Sequence, residues 1–305
     1  MRDGKPDLSL SLAGVALKNP VIAASGTFGY GKEYEGMLDI PRLGGICTKG
    51  LTLEARSGNK GIRLHETPSG LMNSIGLENP GIEAFLKNEL PALSRLGPAV
   101  IANLSGSTLE DYQAGAALLS QSSVDMVELN ISCPNVKAGG MAFGLCPADA
   151  AGVVRLVKEV CGKPLMVKLS PNAPDVVAVA LACQDAGADA LSLVNTFKAM
   201  AIDIRGRRLV FDQGSAGLSG PAIRPIAVRM VWEVSAAVDI PVVGMGGIAN
   251  AEDALEFLLA GAAAVQVGSA TFARPICMIE IIEGIERYMM DQGISSVDGL
   301  PIRPK

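Results

Sequence analysis

Short apolar runs recur along the chain, and most are followed by a longer stretch with apolar residues at helical spacing. The runs predict strands at 21–24, 45–48, 99–103, 126–131, 165–169, 190–194, 241–244 and 263–267. They are rich in Val, Ile, Leu and Ala, as befits strands of a buried parallel sheet. Helical patterns lie at 108–120, 147–160, 175–186, 221–238 and 251–260. Alternation of strand and helix calls for parallel pairing, and eight repeats favour closure. The expected fold class is α/β, a (β/α)₈ TIM barrel. A leading alternation, LSLSLAGVALKNP at 8–20, predicts a small hairpin that could plug the barrel floor. No linker or shift in composition divides the chain, so residues 1–305 are read as a single domain.

Three connections are longer than a plain strand–helix unit requires: 49–98, 132–164 and 196–240. Long ordered loops in a compact domain tend to be functional. Within the last, AIDIRGRRLVF at 201–211 predicts an inserted hairpin with Arg-Gly-Arg at its turn. A lid, a partner surface and decoration all remain open for it.

Composition narrows the class. At 305 residues, 49% hydrophobic and 19% charged, the chain can bury a large core. Its net charge of −5 and lack of a basic run give no electrostatic footprint for nucleic acid. No apolar stretch reaches the roughly 18 residues of a spanning helix, and the first ten residues carry no signal-like apolar region. The six cysteines (47, 133, 146, 161, 183 and 277) are scattered, which suits a reducing, cytoplasmic setting. Such spacing offers neither an iron–sulfur cluster nor a structural zinc on this chain. His65 is the single histidine, so multi-histidine metal sites are impossible and a surface role in its loop, 58–70, is expected.

The candidate chemistry gathers where strands end. Ser25, Lys49, Asn103, Asn130, Lys168, Asn195 and Thr196 all fall at or after the C-terminal ends of predicted strands. In a barrel those positions share one face, the face that carries active sites. Each alone could be a turn or cap residue; two lysines and three asparagines converging on one mouth make a site. Gly246-Gly247 precede a helix with Asn250 as its expected N-cap, and Gly268-Ser269 follow the eighth strand. Backbone N–H groups at such turns favour a phosphate, of a kind the motif leaves open. Cys133 follows the fourth strand and precedes Pro134, which holds it out of a helix. Cationic neighbours such as Lys49 and Lys168 could make that thiol a base near neutral pH. Cys47, Cys161 and Cys183 are expected to be buried and inert.

In order along the chain stand NPVIAASGTFGYG, TKGLT, NSIGLENPG, ELNISCPN, VKLSPN, LVNT, GLSGPAIRP, GMGGI and QVGSA. That succession resembles the catalytic chain of the dihydroorotate dehydrogenases over essentially the whole length. The resemblance implies FMN-dependent oxidation of dihydroorotate to orotate in pyrimidine synthesis. Cys133 would take the proton from C5 while hydride leaves C6, and Lys49 would touch both flavin and substrate. Substrate contacts would come from Lys49, Asn73, Ser74, Ile75, Gly76, Leu77, Asn130, Asn195 and Thr196. FMN contacts would come from Ser25, Lys49, Gly50, Asn103, Asn130, Lys168, Val194, Gly220, Gly246, Gly247, Gly268 and Ser269. The family more often has threonine at the last position, and serine keeps its hydroxyl. Membrane-attached relatives use serine as base, so Cys133 implies the soluble class 1.

The stretch NVKAGGMAFG and the hairpin AIDIRGRR resemble class 1B. That class passes electrons to NAD through a partner subunit with FAD and [2Fe–2S], in a heterotetramer built on a dimer of catalytic chains. Other readings stay open: a fumarate-linked class 1A enzyme, a non-redox barrel enzyme with a lysine Schiff base, and a non-catalytic FMN-binding barrel.

Overall fold

The computed structural model describes residues 5–132 and 143–301. Eight strands close into a barrel: β1 (Val21–Ala23), β2 (Gly45–Cys47), β3 (Ala99–Leu104), β4 (Met126–Asn130), β5 (Leu165–Lys168), β6 (Ala190–Leu193), β7 (Val242–Met245) and β8 (Ala264–Val267). Each pairs in parallel with its neighbour in sequence, and β8 returns to β1. All eight predicted strands are present, with ends shifted by at most a residue or two. Both faces of the strands are covered, which is why their runs are mostly apolar.

The outer helices include α1 (Leu109–Ser120), α2 (Pro147–Lys158), α3 (Val176–Asp185), α4 (Arg224–Ser235), α5 (Ala251–Leu259) and α6 (Cys277–Asp291). Their starts follow from capping chemistry. Thr108 accepts from the Asp111 amide at 3.1 Å while Asp111 accepts from the Thr108 amide at 3.3 Å, a reciprocal capping box. Asp175 and Asn250 cap α3 and α5 by accepting from Ala178 and Asp253 amides at 2.9 and 3.0 Å. The single helical run read at 221–238 divides into a tight turn, Pro221–Ile223, and α4.

The leading segment is a two-stranded hairpin, Leu10–Leu12 against Val15–Leu17. Ala13 and Gly14 turn it with φ of 48° and 87°, the paired positive values that suit the twist of a tight hairpin. Leu12 and Leu17 are buried against Ile22, Ile101, Met166 and Val243 inside the barrel. The hairpin therefore closes the floor, and each leucine contributes about 2 kcal/mol by its burial.

Two of the long connections meet. Leu64–Thr67 and Gly70–Asn73 come from the connection after β2; Phe197–Ala199 and Ala216–Ser219 come from the one after β6. Together they form one antiparallel sheet, with Gly70–Asn73 paired to Ala216–Ser219. His65 lies in this sheet rather than in a loop, half-buried and edge-on to Phe211. The hairpin expected at 201–211 is present as Ile202–Asp203 paired with Arg208–Leu209.

Candidate active site at the barrel mouth

Side chains in a strand alternate between faces, so inward positions recur every second residue. Near the floor the inward residues are Ile22, Ile101, Met166 and Val243, from β1, β3, β5 and β7. Alternate strands supply the next layer: Cys47, Glu128, Ser192 and Gln266, all buried. Two residues beyond the floor layer stand Ala24, Asn103, Lys168 and Met245, and two beyond the second stand Lys49, Asn130, Val194 and Gly268. These eight all line one cavity of about 380 Å³ at the C-terminal mouth. The barrel thus passes from hydrocarbon to polar groups along its own axis.

The antiparallel sheet from the long connections walls the cavity on one side with Leu64, Leu71, Asn73, Gly217 and Ser219. Ser74, Ile75, Gly76 and Leu77 continue that wall, and Asn195 and Thr196 follow β6. The mouth asparagines are held by hydrogen bonds. Ser132 donates its hydroxyl to Asn130 Oδ1 at 2.7 Å, Asn195 donates to that hydroxyl, and Tyr112 donates to the Asn130 carbonyl at 2.8 Å. Asn73 donates to the Gly217 carbonyl at 3.3 Å, tying the two long connections together at the cavity.

On the far side lie Gly246, Gly247, Gly268 and Ser269. Gly246 and Gly247 have φ of 128° and 80°, and a Cβ on Gly247 would stand 2.7 Å from the Gly220 carbonyl oxygen. Only glycine fits there, and the backbone lies bare toward the cavity, ahead of the N-terminus of α5. Gly220 itself does not line the cavity; it backs the glycine turn that does.

Apart from Cys133, every other residue expected in the site lines this cavity: Ser25, Lys49, Gly50, Asn73, Ser74, Ile75, Gly76, Leu77, Asn103, Asn130, Lys168, Val194, Asn195, Thr196, Gly246, Gly247, Gly268 and Ser269. Cys133 lies outside the described residues; Ser132, just before it, is part of the asparagine network. Cys47, Cys161 and Cys183 are buried. Burial pushes the Cys183 thiol up to about 12, which leaves it protonated and inert near neutral pH.

The sequence reading passed over Glu128. Its carboxylate has no solvent contact and accepts from Asn103 Nδ2 (2.5 Å), Gln266 Nε2 (2.7 Å), Ser192 Oγ (2.9 Å) and Cys47 Sγ (3.2 Å). Lys168 Nζ stands 3.7 Å away. Burial alone would raise its pKa, but Lys168 and the donated hydrogen bonds outweigh burial and hold it below the usual 4.5. The signal was available in MVELN: a charged residue in the middle of a strand buried on both faces needs a polar partner inside. Arg56 and Asn59, on the cavity rim, were missed as well. They come from a connection whose path the hydrophobic pattern does not specify.

The cavity suits a flavin phosphate. It pairs a bare glycine turn with cationic Lys49 and Lys168, and Asn103 Oδ1 and Gln266 Oε1 are buried without a partner among the described residues. Those orphaned acceptors fit a polar heteroaromatic ring with an N–H to donate.

The family model for dihydroorotate dehydrogenase matches residues 7–289. A relative from Petrotoga mobilis, named dihydroorotate dehydrogenase B (NAD(+)), catalytic subunit, is 56% identical over 292 residues, 96% of this chain and 97% of its own. Proteins of the same name from Geotalea uraniireducens and Caldicellulosiruptor saccharolyticus are 54% and 52% identical, covering 97% and 96% of this chain and 98% of each relative.

Proposed function

The chain belongs to the dihydroorotate dehydrogenase family, and from that premise we propose how its residues divide the reaction. It is an oxidoreductase that converts dihydroorotate to orotate in pyrimidine biosynthesis, with FMN on this chain. The observation that carries the assignment of residues is the cavity itself, where Lys49, Asn130, Lys168 and Asn195 converge beside a bare glycine turn. When bound, FMN supplies the acceptor for the hydride that leaves C6 of the substrate.

The protein does the rest. Gly246, Gly247, Gly268 and Ser269 offer backbone N–H groups to the phosphate, with Gly220 shaping the turn behind them. Ser25, Gly50, Asn103, Asn130, Lys168 and Val194 hold the ring system. Lys168 sets a fixed positive charge where negative charge accumulates, so no reorganisation is needed during the reaction. Asn73, Ser74, Ile75, Gly76, Leu77, Asn130, Asn195 and Thr196 bind the pyrimidine, since each asparagine amide offers both a donor and an acceptor. Lys49 binds the anionic orotate edge as well as the flavin. Cys133 is the general base that takes the C5 proton; the network through Ser132 steadies the backbone on its N-terminal side.

The electrons leave through a second subunit carrying FAD and [2Fe–2S] to NAD. The relatives' designation as catalytic subunits supports a second subunit, and the scattered cysteines here are consistent with a cluster held elsewhere. The assembly is a heterotetramer built on a dimer of this chain, which is one barrel domain over 1–305 and works in the cytoplasm. Among the described residues no helix is long and apolar enough to cross a membrane.

An anaerobic visible spectrum of the purified chain tests the half-reaction. The expected result is a yellow protein that bleaches with dihydroorotate and recolours with orotate. A flavin that no dihydropyrimidine bleaches would overturn the assignment. NAD reduction that appears only when the partner subunit is added would establish the electron path; NAD reduction by this chain alone would refute it.

A further inference from the structure

Glu128 stands inside the barrel where hydrocarbon would pack at no electrostatic cost. Taking a carboxylate and an ammonium out of water costs several kcal/mol, and such a pair is often no more stabilising than an apolar replacement. Three of the five groups around Glu128, those of Asn103, Lys168 and Gln266, also line the cavity. An ionised carboxylate only accepts hydrogen bonds. It therefore fixes which way the two amides face. Asn103 Nδ2 and Gln266 Nε2 turn to Glu128, so Asn103 Oδ1 and Gln266 Oε1 turn away from it, buried and without a partner among the described residues. Ser192 and Cys47 donate from the same layer and hold the carboxylate in place.

We propose that Glu128 is a positioning residue that aims the Asn103 and Gln266 acceptors and the Lys168 ammonium at the FMN ring, and that its negative charge lowers the chain's preference for reduced over oxidised flavin. The proposal rests on the reading of the cavity as the FMN site. Its sign follows from electrostatics. Reduction adds negative charge to the ring, and a fixed carboxylate in contact with Lys168 and Asn103 would oppose that charge while tempering Lys168. A neutral glutamine at 128 removes the opposition. It also carries both a donor and an acceptor, so it no longer dictates the orientation of either amide.

The test compares FMN-loaded wild type, Glu128→Gln and Glu128→Asp by anaerobic redox titration and by FMN affinity. For Glu128→Gln the ratio of reduced to oxidised FMN affinity is expected to rise about tenfold, an upward shift of about 30 mV for a two-electron couple. Glu128→Asp keeps the charge and should recover most of that difference. A residue needed only for packing would lower thermal stability and leave the ratio unchanged, and an unchanged or lower ratio in Glu128→Gln overturns the proposal. If that variant does not fold, the reduced-minus-oxidised infrared spectrum of wild type decides. A perturbed carboxylate band from labelled Glu, absent in Glu128→Asp, supports the proposal, and no perturbation refutes it. A wild type that takes up no FMN would overturn the site reading and this inference together. A wild type that bleaches with dihydroorotate beside an unchanged ratio in Glu128→Gln would overturn the inference alone.

Discussion

The floor and the mouth of the barrel are built from the same eight strands, two residues apart in register, yet they obey different rules. At the floor Ile22, Ile101, Met166 and Val243 pack against Leu12 and Leu17 of the hairpin. Four residues per layer fill the space, and no polar atom needs a partner. Toward the mouth, Asn103 and Lys168 occupy the inward positions two residues beyond Ile101 and Met166, with Glu128, Ser192 and Gln266 between the layers. Polar groups there need partners, and Asn103 Oδ1 and Gln266 Oε1 have none among the described residues. Substitutions at the floor are therefore expected to report stability, and those at the mouth binding and chemistry.

Four variants sharpen or break that contrast. Cys133→Ala should slow flavin reduction by dihydroorotate about 10²- to 10⁴-fold while FMN stays bound, as loss of a general base requires. Anaerobic stopped-flow spectroscopy reads it, and an unchanged rate would remove Cys133 from its role. Met166→Ala should cost about 2–5 kcal/mol of stability by opening a cavity at the floor. Chemical denaturation measures that loss, and the folded fraction should reduce its flavin at the wild-type rate. A large rate defect at full FMN occupancy would break the division between floor and mouth.

Gly247→Ala tests the glycine turn, where the new methyl would meet the Gly220 carbonyl and Arg224 Cβ at 2.7 and 2.8 Å. FMN affinity should fall at least about tenfold, about 1.4 kcal/mol, in a fluorescence titration. Asn250→Ala removes one hydrogen bond at the start of α5. It should cost about 1 kcal/mol of thermal stability, with a smaller effect on FMN affinity than Gly247→Ala. The reverse order would mean that the helix end, rather than the glycine turn, holds the phosphate.

Much of this was legible in one dimension. The strands could be placed because burial on both faces leaves continuous apolar runs, and the caps Thr108 and Asn250 stand where those runs give way to helix. The mouth residues could be gathered because the C-terminal ends of parallel barrel strands necessarily share one face. Gly220, expected at the flavin from the family resemblance alone, lies against Gly247 of the glycine turn. Glu128 was visible as a charge in a buried strand, but nothing in the linear order names its partners, which come from β2, β3, β5, β6 and β8.

The sequence by itself determined the eight strands and the floor hairpin, which depend on local periodicity and turn chemistry, and the gathering of strand-end polar residues at one mouth, which depends on the fixed geometry of parallel strands. The family was legible from the succession of its motifs. Only the tertiary structure decided that segments after β2 and after β6, more than a hundred residues apart, pair into one sheet and wall the cavity. Only it decided that three inward side chains from alternate strands converge on one carboxylate. Closing a barrel fixes which distant residues share a layer, and no pattern along a single chain carries that shear.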